Sequence, residues 1–126
     1  MQAKGEFEVK LTPQTMAQGE AHGRYSLDKV FRGDLEAASK GEMLAAASEV
    51  KGSAGYVAIE KVTGRLAGRE GGFFLQHNGL MNRGQPSLTI VVVPDSATGE
   101  LAGLSGTMTI EIIDGKHFYA FDYLLP

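Results

Sequence analysis

The 126-residue chain contains no cysteine, no tryptophan and only four prolines. Without a thiol there is no disulfide, no thiolate metal site, no iron–sulfur cluster and no cysteine nucleophile. No apolar run approaches the roughly 20 residues of a membrane-spanning helix, and the first residues, MQAKGEFEVKL, lack the apolar stretch of a signal peptide. The expectation is a soluble cytoplasmic protein with no membrane partner. An excess of positive charge is also missing. Lys and Arg number 12 against 15 Asp and Glu, for a net charge of −3, and no basic cluster offers nucleic acid a footprint. Glycine, by contrast, is abundant at 17 residues, about twice the usual share. With so few prolines it points to turns and sharp bends rather than long helices. Length and an apolar content of 43% fit one domain, residues 1–126, with a core of its own.

The clearest pattern lies near the C-terminus. Met108, Ile110 and Ile112 alternate with Thr107, Thr109 and Glu111, and the run meets Asp114-Gly115, a dipeptide favoured in two-residue hairpin turns. That turn predicts Ile113 opposite Lys116, Ile112 opposite His117, Ile110 opposite Tyr119 and Met108 opposite Phe121. A second hairpin is predicted from Tyr56 to Leu66 and from Phe73 to Met81, turning through the glycines around 68–72. In that register Leu66 faces Leu75, Gly64 faces His77, Val62 faces Gly79 and Glu60 faces Met81. Phe7, Val9 and Leu11 mark one face of a first strand, and Tyr25, Leu27 and Phe31 one face of a second.

Residues 35–50 contain helix-compatible alanines, but a central Gly41 and strand-like neighbours favour a strand. The β-branched run 88–93 reads as a strand buried on both faces. The stretch from Thr63 to Gly71 resembles that from Thr98 to Gly106. Two copies are too few for a solenoid, so the motif reads as a strand–turn–strand device used twice. Eight or so strands of about ten residues, joined by short turns and almost without helix, close most economically as an all-β, antiparallel, eight-stranded barrel. A β-sandwich is the alternative.

The segments FRGDLEAASKGEML, KGSAGYVAIEKVTGRLAGREGGFFLQHNGLMNRG, VVVPDSATGELAGLSGTMTI and DGKHFYAFDY resemble those of a bacterial domain-of-unknown-function family. Its members are similar to the allene oxide cyclase barrel. The resemblance spans nearly the whole chain and implies a closed eight-stranded barrel that is oligomeric. It implies no activity, because the family brings no catalytic residues to carry over and a shared fold does not transfer chemistry.

Candidate chemistry rests on a few side chains. His77 shares its predicted face with Phe73, Leu75 and Met81, and an imidazole on an apolar wall can act as general acid or base; the plainer role is a hydrogen-bonded core histidine. Glu60 interrupts the apolar run from Tyr56 to Ile59. Facing inward, it would have its pKa raised by desolvation and become a candidate for proton transfer; facing outward, it is a solvated charge. In the predicted register the two lie four residues apart, roughly 13 Å at strand rise, too far for a hydrogen bond unless barrel shear brings them together. Tyr119, Tyr123 and Tyr25 could offer phenol donors to a ligand or simply fill the core. His117 shares the face of Tyr119 and sits beside a turn, hence near a barrel rim. Asp122 reads as facing solvent or an interface, and His22 as lying in a loop.

No pair of histidines has metal-ligand spacing. The glycine motifs lack the lysine and serine of a phosphate loop, and Ser87, Ser96 and Ser105 lack a nucleophile elbow. Neither a metal nor a cofactor is therefore expected. The leading functional expectation is a barrel that receives a small hydrophobic molecule, with His77, Glu60, Tyr25, Tyr119, Tyr123 and His117 as its polar contacts. One alternative is a cofactor-free isomerase or cyclase using His77 or Glu60 for proton transfer. Another is a filled barrel acting through its surface. Because Phe74, Leu80 and one face of 88–93 cannot all point inward, a homo-oligomer, first of all a dimer, is expected.

Overall fold

A computed structural model of the chain describes residues 1–15 and 22–126. The body of the loop assigned around His22 lies outside them. The strands are β1 (Gln2–Pro13), β2 (Gly23–Gly33), β3 (Leu35–Ala47), β4 (Ala54–Leu66), β5 (Arg69–Asn82), β6 (Gln85–Val92), the two-residue β7 (Thr98–Gly99), β8 (Ser105–Ile113) and β9 (Lys116–Leu124). Pairing runs β1-β2-β3-β4-β5-β6-β8-β9 and returns to β1, antiparallel throughout, with β7 added beside β5. The fold is thus a closed eight-stranded barrel with one extra strand. Closure leaves those eight strands without a free edge.

Glycine shapes this wall in two ways. Three hairpins turn on two residues of positive φ, Ala67-Gly68, Arg83-Gly84 and Asp114-Gly115, the conformation that matches strand twist. Other glycines let neighbouring strands close in. A Cβ on Gly41 would run into the carbonyl of Ile59, and one on Gly64 into that of Glu36. Residues 35–47 are accordingly strand, not helix.

The β8–β9 register matches the prediction at every pair from Met108–Phe121 to Ile113–Lys116. The β4–β5 register does not. The turn is the two residues Ala67-Gly68, so Leu66 pairs with Arg69, Val62 with Phe73, Glu60 with Leu75 and Ala58 with His77. The slip is an even number of residues, so every side chain keeps its predicted face. The run 88–93 is also corrected. Ile90 and Val92 are buried whereas Thr89 is exposed and Val91 half-buried, so this strand has one core face, in the period-two manner of an antiparallel barrel.

The two ends of the barrel differ. At the end carrying the β2–β3, β4–β5 and β9 termini, Leu35, Leu66, Phe73, Phe121 and Tyr123 are buried. Leu101 and Leu104, from the segment joining β6 to β8, complete that core. Leu66 and Leu101 occupy equivalent positions in the repeated motif, and its glycines meet where Gly71 pairs with Gly99. At the opposite end, inward-facing apolar side chains stay open to solvent: Leu11 is 44% exposed, Met81 40%, Leu88 42% and Ile112 66%. One end is plugged, and the other carries an exposed apolar rim among the described residues.

Candidate functional site

Between plug and mouth the inward positions turn polar. Odd residues of β2 and β3 and even residues of β4 face the lumen, as Leu27, Leu35 and Val62 show. The same parity carries Lys29 on β2, Ser39 on β3 and Glu60 on β4 inward, and β5 adds His77. Their exposures are 6%, 3%, 0% and 3%. Glu60 is the hub. Its Oε1 accepts from the Ser39 hydroxyl at 2.7 Å. Its Oε2 accepts from Lys29 Nζ at 2.8 Å and from His77 Nε2 at 2.5 Å. The contact with His77 overturns the wide separation read from the sequence. With Glu60 opposite Leu75, His77 is only two residues further along β5, and the coiling of the wall does the rest.

Desolvation pushes the Glu60 pKa up, the direction expected from burial. The hydrogen bond from His77, and the charge and hydrogen bond of Lys29, outweigh it and bring the carboxyl down to about 2. Glu60 is therefore an ionised acceptor. Nε2 of His77 must carry the proton between them, while Nδ1 makes no hydrogen bond with the described residues. Lys29 Nζ sits over two rings in cation–π geometry, 5.1 Å from the centroid of Phe7 and 5.7 Å from that of Phe31. The half-buried Tyr56 lies beside His77, ring centroids 6.3 Å apart. Burial first, and the charge of Glu60 second, raise its phenol pKa.

The other sequence candidates fall elsewhere. Tyr119 is buried at the β2–β3 turn, where its hydroxyl accepts from the Leu35 amide at 2.9 Å and donates to the Arg32 carbonyl at 2.8 Å. Tyr123 stacks on Phe121 among the plugging residues. Tyr25 is half-buried on the mouth half of β2. His117, also half-buried, stands next to the β8–β9 turn against Phe7, ring centroids 5.1 Å apart. Asp122 is exposed and accepts from Gln2 Nε2 at 3.1 Å. Among the described residues no group of three or more His, Asp and Glu is arranged to hold a metal. Two surface grooves lie on the outer wall, one of about 670 Å³ lined by Glu6, Glu111 and Phe118, the other of about 560 Å³ lined by Leu44, Ile59 and Phe74.

Lys29 and Ser39 were missed in the sequence. Their signal was parity: Lys29 lies two residues from both Leu27 and Phe31, and Ser39 four from Leu35.

Fold and site define a class: a small closed barrel, plugged at one end, with a buried charged cluster between that plug and an exposed apolar rim. The chain belongs to the family described as protein of unknown function DUF3224, whose model matches residues 3–123. The crystal structure of a protein of unknown function from that family, from Shewanella oneidensis MR-1, superposes with a TM-score of 0.95. The two chains are 54% identical, with coverage of 100% of this chain and 97% of the other. A search of curated proteins finds no match.

Proposed function

We propose that this barrel binds a small, largely hydrophobic molecule through its open mouth, with the Lys29–Ser39–Glu60–His77 cluster as the polar floor. The cluster itself carries the reading. Replacing a buried ion pair with well-packed apolar residues is often neutral or stabilising, by about 1–4 kcal/mol. The plugged half of this barrel is filled with such residues, so stability gives no reason for the charges in the other half. A buried carboxylate whose pKa its partners shift, set below an exposed apolar rim, is a usual mark of a functional site. The similarity to the allene oxide cyclase barrel read from the sequence points the same way at the level of fold alone.

Native mass spectrometry of freshly purified protein, paired with methyl NMR of Leu11, Met81, Leu88 and Ile112 during titration with 1-decanol, tests the reading. Retained small-molecule mass, or saturable shifts confined to those methyls, is the expected result. No retained mass and no shift would overturn it.

The Nδ1 of His77, unpaired with any described residue, favours a second reading, a cofactor-free isomerase or cyclase. Here His77 is the general base and Glu60, fully shielded and strongly ionised, orients it rather than carrying the proton. Incubation in deuterium oxide of any molecule recovered from the barrel should then show hydrogen exchange that His77→Gln abolishes.

A further inference from the structure

We infer that a second copy of this chain covers the outer wall centred on β4 and β5, in a two-fold dimer whose axis runs across the strands between the levels of Val57 and Ile59. This interface lies on the outside of the barrel and needs nothing in the lumen. Charge marks the face. From Gly71 to Pro94 the sequence carries a single Asp, Glu, Lys or Arg, the turn residue Arg83, although such residues make up 21% of the chain. Alternate positions point outward, so burial inside the barrel does not account for the gap. Phe74, Gln76, Asn78 and Leu80 on β5 and Thr89 on β6 are all exposed, and beside them β4 shows Val57 and Ile59, each about half exposed. The outer wall of β1 and β2 instead carries Glu6, Glu8, Lys10, Asp28 and Arg32. Loss of charge around exposed aromatic and aliphatic side chains is the composition of an interface core, not of a solvated strand.

Size and relief agree. Four strands (β3–β6) about 4.8 Å apart, with four outward positions each at roughly 7 Å spacing, give a flat footprint of roughly 500 Å², the order of the ~800 Å² of accessible surface that each partner contributes to a standard interface. Grooves of about 560 and 410 Å³ run into one another there at Leu44, Val57 and Asn78.

The shape and the polar groups of the face select this chain as the occupant. The wall of a twisted barrel is a saddle, and a saddle fits its own copy after a half-turn about a line in its surface, along the strands or across them. Near such an axis like meets like. Equal charges would repel, whereas apolar side chains and carboxamides, which both donate and accept, suit their own kind. Gln76 and Asn78 make no side-chain hydrogen bond with the described residues. Asn78 is level with Val57 and Gln76 with Ile59. A half-turn along the strands would set each amide on one of those aliphatic side chains and bury it unpaired, which is costly. The half-turn across them sets Gln76 on the partner's Asn78, Val57 on the partner's Ile59 and Phe74 on the partner's Leu80. Lys61, its Nζ 5.9 Å from the Phe74 ring centroid, falls at the rim opposite Gly55, where no side chain blocks its way to solvent.

Sedimentation velocity of the intact protein at micromolar concentration tests the interface, with circular dichroism as the check on folding. The wild type should sediment as a dimer. Gln76→Lys and Asn78→Asp each place a charge beside the axis and should weaken self-association at least about tenfold. An equal mixture of the two variants should recover the dimer to within about threefold of wild type, because position 76 of one chain then meets position 78 of the other with opposite charge. Val57→Lys mixed with Ile59→Glu supplies the same comparison if either amide variant does not fold. A monomeric wild type overturns the dimer. A dimer untouched by either substitution overturns this face, and loss of the dimer without rescue in the mixture overturns the axis across the strands.

Discussion

Lys29 on β2 reaches across β3 to Glu60 on β4, Nζ to Oε2 at 2.8 Å. The strand between them offers only Ser39 and Gly41 on its inner face there. A larger residue at either position would fill the gap the pair bridges. Removing Lys29 alone strands a buried carboxylate. We expect Lys29→Met to lower stability by ~3–5 kcal/mol, read as a shift in urea midpoint at constant slope. Lys29→Met with Glu60→Gln should recover most of that, because the amide still meets Ser39 and His77. A double variant no more stable than the single one would show that the pair is not the dominant interaction.

Acid should act on the same carboxyl. Its folded pKa of about 2 lies below the ordinary value of 4.5. The stabilisation is therefore fully present above pH 4.5 and is lost as pH falls toward 2, roughly 3 kcal/mol in all. Urea denaturation at a series of pH values should show that loss, and Glu60→Gln should flatten the curve over the same window.

Tyr119 is expected to serve the fold. Tyr119→Phe leaves the Leu35 amide and Arg32 carbonyl without their phenol partner and should cost ~1–3 kcal/mol. Decanol binding at the mouth, measured by methyl NMR, should be unchanged. A loss of binding without a loss of stability would return Tyr119 to the ligand site.

Two glycines should respond differently. Gly41→Ala drives a Cβ into the carbonyl of Ile59, so β3 and β4 must part beside Glu60, and a loss above ~2 kcal/mol is expected. Gly115→Ala meets open space at a φ of 79° and should cost only ~1–2 kcal/mol of backbone strain. Thermal melts of both variants decide the order.

The outer wall of β4 and β5 exposes Val57, Ile59, Phe74 and Leu80, an apolar stripe of the kind that marks association. We expect a homodimer in solution by light scattering, with Val57→Glu and Leu80→Glu shifting it to monomer without unfolding. A monomeric wild-type protein at high concentration would sink the idea.

Where the turn was legible, so was the register. Asp114-Gly115 specifies a two-residue loop and therefore every pair of β8–β9. Ala67-Gly68 carries no such signal, since alanine seldom takes a positive φ, and the loop read from the neighbouring glycines came out too long. Faces survived that error because side chains alternate with period two. His77 and Glu60 stood out as polar residues in apolar runs. Lys29 did not, because in the polar-rich sequence Ser26-Leu27-Asp28-Lys29 a lysine reads as solvated.

By itself the sequence determined the alternation, the Asp114-Gly115 turn and the glycine bends, and with them an antiparallel barrel, because these are local properties of the backbone. Which strand offset faces which lay beyond it. Closure and coiling bring Lys29, Ser39, Glu60 and His77 from four strands onto one carboxylate, and only there do Lys29 and His77 offset the desolvation that would otherwise raise its pKa. The plugged end was likewise decided by tertiary structure, since it depends on Leu101 and Leu104 folding back into a lumen formed by strands remote in sequence.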